Sequence, residues 1–318
     1  MILRDRFRRR GAPSGDDHSS VWDHPATLGR TTLRNPVMPA SGTYGYGLEL
    51  APYGDPALLG ALVVKSLSAK PWAGNEPPRL VPLSAGSMLN SVGLQNPGVG
   101  AWSAHTLPLL LERRLAVVAS IWGHTPEELL NAAQLMAEVS GPVAWEINLS
   151  CPNLATSAEL PSHNPDVARE VCGKIRALAD DAVGVWAKLA PNAPDVPAVA
   201  DACSAAGVDA VTLTNTYPGT QFPAETPLPT VGGRGGGVSG ALLRPIVRRT
   251  VAAVHQRCPD LSIVAAGGVS TVDHAVAYLD LGATAVQVGT ANFADPRATH
   301  TIARGVVERL ARRPRPRS

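Results

Sequence analysis

Three kinds of side chain recur at the ends of short apolar runs in this chain, and each kind suggests a chemistry. Lysines are the first. Lys65 nearly closes ALVVKS (61–66), followed by Ser66, and Lys188 lies inside VGVWAKL (183–189). A lysine among apolar residues is rarely buried without a partner. Its ammonium could steady an anionic reduced ring beside it, or form a Schiff base with a carbonyl; a rim ion pair is the structural alternative. Amides are the second kind: Asn90, Asn96, Asn148, Asn153 and Asn215, the last followed by Thr216. Their paired donors and acceptors suit a planar heterocycle carrying imide groups, although a single Asn also serves in turns and caps. Glycines are the third. Gly267 and Gly268 end one run, Gly289 and Thr290 end another, and GVSG (237–240) contributes Gly240 at the expected start of a helix. Without a Cβ in the way, backbone N–H groups there could approach a phosphate closely.

Cys151 stands apart, between Ser150 and Pro152 in INLSCPN (147–153). An ordinary thiol, with a pKa of about 8.5, is only slightly ionised at neutral pH, yet on a loop over a cofactor it can act as a general base. Cys172, Cys203 and Cys258 fall in helical stretches and read as packing. The four cysteines form no CxxC pair and the eight histidines no HExxH, so no metal site is expected. The same cysteine usage suggests a reducing compartment, the cytoplasm. No GxSxG or Ser/His/Asp context is present.

These residues need elements to hold them. Eight apolar runs, rich in Val, Ile and Ala, have the look of strands buried on both faces: 35–41, 61–66, 115–121, 143–150, 183–189, 209–215, 262–268 and 284–290. Helical patterns lie between them, at 125–140, 164–180, 193–207 and 270–282. The first two open with a cap residue followed by Pro. Strand then helix, eight times, predicts an α/β fold, a (β/α)8 TIM barrel, with its chemistry at the C-terminal ends of the strands. A doubly wound open sheet is the alternative, but no GxGxxG follows the first strand. Residues 67–114 and 216–239 are too long for plain barrel loops and predict hairpin-like cover over the site.

Residues 1–30 read as a flexible N-terminal segment, 31–310 as the barrel domain and 311–318 as a basic tail. MILRDRFRRR lacks the apolar stretch of a secretory signal, and no run is long enough to span a membrane. A net charge of +2 gives no bulk pull toward nucleic acid or an anionic surface, and 45% hydrophobic residues are enough for a large core.

Taken in order, these motifs resemble the class 1 dihydroorotate dehydrogenases, from about residue 33 to 297. The resemblance is carried by NPVMPASGTYGYG (35–47), KSLSAKPWAGNEPPRL (65–80), NSVGLQNPGV (90–99), INLSCPN, WAKLAPN (186–192), LTNT (213–216), GGGVSG (235–240), AAGGV (265–269) and VQVGTANFADP (286–296). It implies an FMN-dependent barrel that oxidises dihydroorotate to orotate in pyrimidine biosynthesis. Cys151 would remove the C5 proton while hydride passes from C6 to flavin N5. Lys65, Asn90, Asn148, Asn153, Asn215 and Thr216 would hold the pyrimidine, with backbone groups near Gly93 and Leu94. Ser41, Lys65, Ser66, Asn148 and Lys188 would contact FMN, and Gly240, Gly267, Gly268, Gly289 and Thr290 its phosphate arm. Class 2 enzymes use Ser as the base and carry a membrane-associating extension, so Cys151 favours class 1. The wording of SGTYGYG and GLQNPG resembles subtype B, a homodimeric core working with a second subunit that carries FAD and a [2Fe–2S] cluster and passes electrons to NAD+. Subtype A, a homodimer using fumarate, is the alternative. A related FMN enzyme acting on another dihydropyrimidine, and a non-catalytic barrel, are the other readings. Residues 154–163 and 217–233 depart from the family's pattern.

Overall fold

A computed structural model of the chain describes residues 20–150, 161–222, 230–232 and 235–313. Of the expected N-terminal segment, residues 20–30 hold a one-turn 3-10 helix and strand β1 (Ala26–Leu28), which pairs antiparallel with β2 (Thr31–Leu33). β3 (Val37–Pro39) and β4 (Leu62–Val63) begin the barrel. An excursion follows, through β5 (Leu80–Leu83), β6 (Ser87–Asn90) and helices α1 (Val99–His105) and α2 (Leu107–Glu112). The barrel resumes with β7 (Val117–Ile121), α3 (Pro126–Ala137), β8 (Ala144–Asn148), α4 (Pro165–Leu178), β9 (Gly184–Leu189), α5 (Val196–Ala205) and β10 (Ala210–Leu213). A second excursion, β11 (Tyr217–Gly219) and β12 (Gly236–Gly240), leads into α6 (Arg244–Arg257). β13 (Ser262–Ala266), α7 (Val272–Asp280), β14 (Ala285–Val288), α8 (Ala291–Ala294) and α9 (Ala298–Ala311) finish the chain.

The eight expected strands are the eight strands of one parallel sheet, in the order β3-β14-β13-β10-β9-β8-β7-β4. Its ends approach where Gly60 N–H donates to Val37 O at 2.9 Å, so the barrel is nearly closed. The four predicted helices are present, and each opens on a side-chain cap, Asp195 accepting from Ala198 N–H at the start of α5. Thr125 accepts from Glu128 N–H, Asn164 from Asp166 and Val167 N–H, and Thr271 from His274 N–H, each such cap being worth about 1 kcal/mol. One expected helix is missing. After β3 the chain makes only two 3-10 turns, Ala51–Tyr53 and Pro56–Leu58. The Gly- and Pro-rich stretch GTYGYGLELAPYGDP cannot sustain a longer helix.

Because side chains alternate along a strand, the barrel interior is layered. The lowest layer is apolar: Met38, Val63, Val118, Ala144, Trp186, Ala210, Val264 and Ala285 pack over Leu28 and Leu33 of the β1–β2 hairpin. Two residues further along the same strands come Ser120, Glu146, Lys188, Thr212 and Gln287, all buried. Above this polar layer lies the site. The two excursions form the predicted cover, a four-stranded antiparallel sheet in the order β11-β12-β6-β5. Among the described residues, no helix is long and apolar enough to cross a membrane.

Candidate active site

A cavity of about 690 Å³ opens at the C-terminal ends of the barrel strands, roofed by the added sheet. This is the size of a small-molecule or cofactor site. Every described residue to which the resemblance gave a site role lines it. Lys65 and Ser66 follow β4, Asn148 ends β8, Lys188 lies in β9, and Asn215 and Thr216 follow β10. Asn90, Gly93 and Leu94 come from the first excursion, Gly240 from the second, and Ser41, Gly267, Gly268, Gly289 and Thr290 from the ends of β3, β13 and β14. Cys151 and Asn153 lie outside the described residues. Asn96 takes no part: it is a buried residue bridged to Trp72, and its Oδ1 accepts from the N–H groups of Ser68 and Gly98.

The amides are held by one another. Asn215 Nδ2 donates to Asn148 Oδ1 at 3.2 Å and to Ser150 Oγ at 2.5 Å, and Asn215 Oδ1 accepts from Thr216 N–H at 2.7 Å. Asn90 Nδ2 donates to Gly237 O at 3.0 Å, which ties β6 to β12. GVSG does not open a helix, as its glycines suggested. It is the end of β12, paired with β6, and only Gly240, at φ +88°, turns the chain toward α6. A Cβ at Gly240 would meet Gly86 O at 2.5 Å, so the tight approach of the two strands requires glycine there.

The two lysines differ. Lys188 is paired, as one alternative had it, but inside the barrel rather than at the rim: its Nζ is 3.3 Å from Glu146 Oε1, and both side chains are buried. Lys65 is half-buried with no ion-pair partner among the described residues. Loss of water, and then the nearby Arg79 cation, lower its pKa from the ordinary amine value. An anionic group placed near Lys65 would relieve that cost.

Several lining residues were not anticipated. Gln287 sits inside VQVGTANFADP, and its buried neighbour Glu146 inside the apolar run 143–150. Their signal was a polar residue in mid-strand with apolar neighbours on both sides. Asn75, His163 and Asn192 also line the cavity; Asn75 and Asn192 lie within KSLSAKPWAGNEPPRL and WAKLAPN without having been singled out there, and His163 lies in neither. Among the described residues no group of three His, Cys, Asp or Glu could hold a metal ion.

The cavity suits a large planar group with an anionic arm. A Cβ at Gly289 would stand in ordinary contact with Ala40 Cβ at 3.5 Å, so the cavity wall is formed there by the backbone and its small neighbours. Gln287 Oε1 is buried and has no hydrogen-bond partner among the described residues, a vacancy a ligand donor would fill. The family model for dihydroorotate dehydrogenase matches residues 26–310. The chain belongs to the dihydroorotate dehydrogenase family. It is 40% identical over 280 residues to the catalytic subunit of dihydroorotate dehydrogenase B (NAD(+)) of Geotalea daltonii, covering 88% of this chain and 90% of that one. The corresponding subunit of Trichlorobacter lovleyi is 38% identical over 286 residues, covering 90% and 93%. The subtype B resemblance read from the motifs agrees with these relatives, and the chain is an oxidoreductase of this family. A crystal structure of a DHODH from Eimeria tenella in complex with ferulenol superposes with a TM-score of 0.74 at 21% identity, covering 90% of this chain and 84% of that one. It shares the barrel fold.

Proposed function

We propose that this protein oxidises dihydroorotate to orotate in de novo pyrimidine biosynthesis with FMN as its cofactor. One observation carries the reading: in a chain of this family, a buried lysine, a linked set of amides and the glycines at the ends of β13 and β14 converge on one cavity. FMN, when bound, supplies the two-electron acceptor for hydride leaving C6. Gly240, Gly267, Gly268, Gly289 and Thr290 would hold its phosphate arm. Ser41, Ser66, Asn148 and Lys188 would hold its ring system, with Lys188 opposing the negative charge that gathers there. Asn90, Asn153, Asn215 and Thr216, with Lys65 and the backbone near Gly93 and Leu94, would fix the pyrimidine. Cys151 is the base: its thiolate takes the C5 proton as the C5–C6 double bond forms. Its neighbour Ser150 belongs to the Asn148–Asn215 network, so the base follows directly on the residues that would hold the substrate.

The relatives' names support a division of labour in which this chain is a catalytic subunit. On this reading a homodimeric core in the cytoplasm passes its electrons to a partner subunit with FAD and a [2Fe–2S] cluster, and from there to NAD+.

The test is an anaerobic absorbance spectrum before and after dihydroorotate is added. The visible flavin band is expected to bleach in the wild type and to persist in Cys151→Ala. A flavin band indifferent to dihydroorotate would move the substrate to another dihydropyrimidine. No flavin band after FMN is supplied would overturn the cofactor.

A further inference from the structure

Glu146 is fully buried in the middle of β8 and gathers donors from three other strands. Its Oε1 faces Lys188 Nζ at 3.3 Å, and its Oε2 accepts from Thr212 Oγ1 at 2.9 Å and from Gln287 Nε2 at 2.6 Å. A carboxylate only accepts hydrogen bonds, so it dictates how the Gln287 amide faces. The NH2 turns to Glu146, and the carbonyl Oε1 is directed elsewhere. Gln287 lines the cavity, is itself 0% exposed, and its Oε1 has no partner among the described residues. An unpaired buried acceptor is unfavourable, so the network is one donor short. Lys188 lines the same cavity. One carboxylate therefore orients both a cation and an acceptor at the cavity floor. Their complement is a ring edge with a carbonyl oxygen beside an N–H, an imide.

We propose that Gln287 is a ring-binding residue that accepts the imide N–H of the flavin through Oε1, and that Glu146 is the positioning residue that sets both Gln287 and Lys188. The proposal rests on the FMN reading above, and adds two residues that reading does not use. Glu146 touches no ligand in this scheme. It keeps the amide from flipping, since a flipped amide would set its oxygen against a carboxylate oxygen.

The experiment is a binding titration, with no turnover required. Apoprotein is titrated with FMN and with 3-methyl-FMN, in which a methyl group replaces the imide hydrogen, and binding is read from quenching of flavin fluorescence. Wild type is expected to prefer FMN by about tenfold or more, the worth of one buried hydrogen bond. Gln287→Ala is expected to bring the ratio near one, and Gln287→Met, closer in volume, to do the same if the Ala variant is unstable. Glu146→Gln is expected to lower the ratio while the protein stays folded by thermal melting, because an amide in that place no longer forces one orientation. A ratio near one in wild type, or an unchanged ratio in both Gln287 variants, overturns the role of Gln287. A wild-type ratio in Glu146→Gln overturns the positioning role. Failure of wild type to bind either flavin would overturn the cofactor reading itself, and this inference with it.

Discussion

Two buried carboxylates on neighbouring parts of the barrel serve different ends. Asp209, just before β10 at the barrel floor, is satisfied wholly by the chain. It accepts from Arg30 N–H at 3.0 Å, Arg30 Nη1 at 2.7 Å and Val185 N–H at 2.8 Å, with Arg176 Nη1 at 3.7 Å. Arg176 in turn donates to the carbonyls of Val183, Ala179 and Asp180. Every partner leads back into backbone, and the cluster ties the β1–β2 turn to β9 and α4. Glu146, one layer up, has partners that lead into the cavity: Lys188 and Gln287 both line it. A closed polar cluster contributes only to the fold. An open one holds groups ready for something that is not protein.

The comparison can be broken first at the floor. Asp209→Ala leaves the half-buried Arg176 without its counter-ion and the N–H groups of Arg30 and Val185 without their acceptor, and breaking such a cluster costs about 3 kcal/mol or more. Chemical denaturation is the measurement. FMN affinity per folded molecule is expected to be that of wild type. A loss of affinity in the folded protein would show that the floor and the mouth are not separable.

The second test sits in the middle layer. Lys188→Met strands the Glu146 carboxylate, and the same mechanism predicts a loss of about 3 kcal/mol. Pairing it with Glu146→Gln removes the stranded charge, so stability is expected to recover by most of that amount. FMN binding is not expected to recover, because the cation and the fixed amide are both gone. Recovery of binding together with stability would mean that the Glu146–Lys188 pair is as purely structural as Asp209.

The third test compares two glycines. Gly29, at φ +55°, packs against Asp209, where a Cβ would lie 2.3 Å from Oδ1. Gly268, at φ +70°, lines the cavity, and a Cβ there would lie 2.7 Å from Arg244 Cβ and 3.0 Å from Gly240 O. Each substitution by Ala forces a positive φ on a residue with a side chain, at a cost of about 1–2 kcal/mol plus the clash. Gly29→Ala is expected to lower the melting temperature and leave FMN binding alone. Gly268→Ala is expected to weaken FMN binding about tenfold, since it disturbs backbone proposed to face the phosphate. Equal effects of the two on FMN binding would sink the distinction.

How far this could be read in the sequence follows from the same layering. All eight barrel strands were legible because strands buried on both faces are rich in Val, Ile and Ala, as in VVASI and SIVAA. The glycines, Lys65 and the INLSCPN amides were legible because each departs from the apolar pattern at a strand end. Glu146 and Gln287 sit one layer deeper, mid-strand, where a polar residue marks either a buried network or a misjudged strand, and only the neighbouring strands decide which. Thr212, Lys188 and Gln287 are 24 to 99 residues apart along the chain, and parallel pairing brings them together. The missing helix after β3 and the strand in place of a GVSG helix start have a common cause. Glycine reports freedom of the backbone and leaves its use to the partner strand, here β6 for Gly240.

The smallest expected effect concerns Lys65, the cation at the mouth without an ion-pair partner among the described residues. Burial, then Arg79, lower its pKa from the ordinary 10.5. The folded apoprotein therefore holds this proton less tightly than the unfolded chain does. Between the lowered value and 10.5 the unfolded chain binds more protons, so stability rises with pH across that window. Below it both states are protonated and the penalty is constant. Lys65→Met is accordingly expected to melt above the wild-type apoprotein at neutral pH, by a shift on the order of 1 °C because Lys65 keeps part of its surface in water. The gap is expected to narrow as pH climbs toward 10.5, and other titrating groups cancel in the difference. With FMN and orotate bound, an anionic neighbour offsets the penalty and the sign is expected to reverse. If the variant gains no stability at neutral pH, Lys65 is already balanced by the protein, and the mouth of the barrel is more closed than its unsatisfied groups imply.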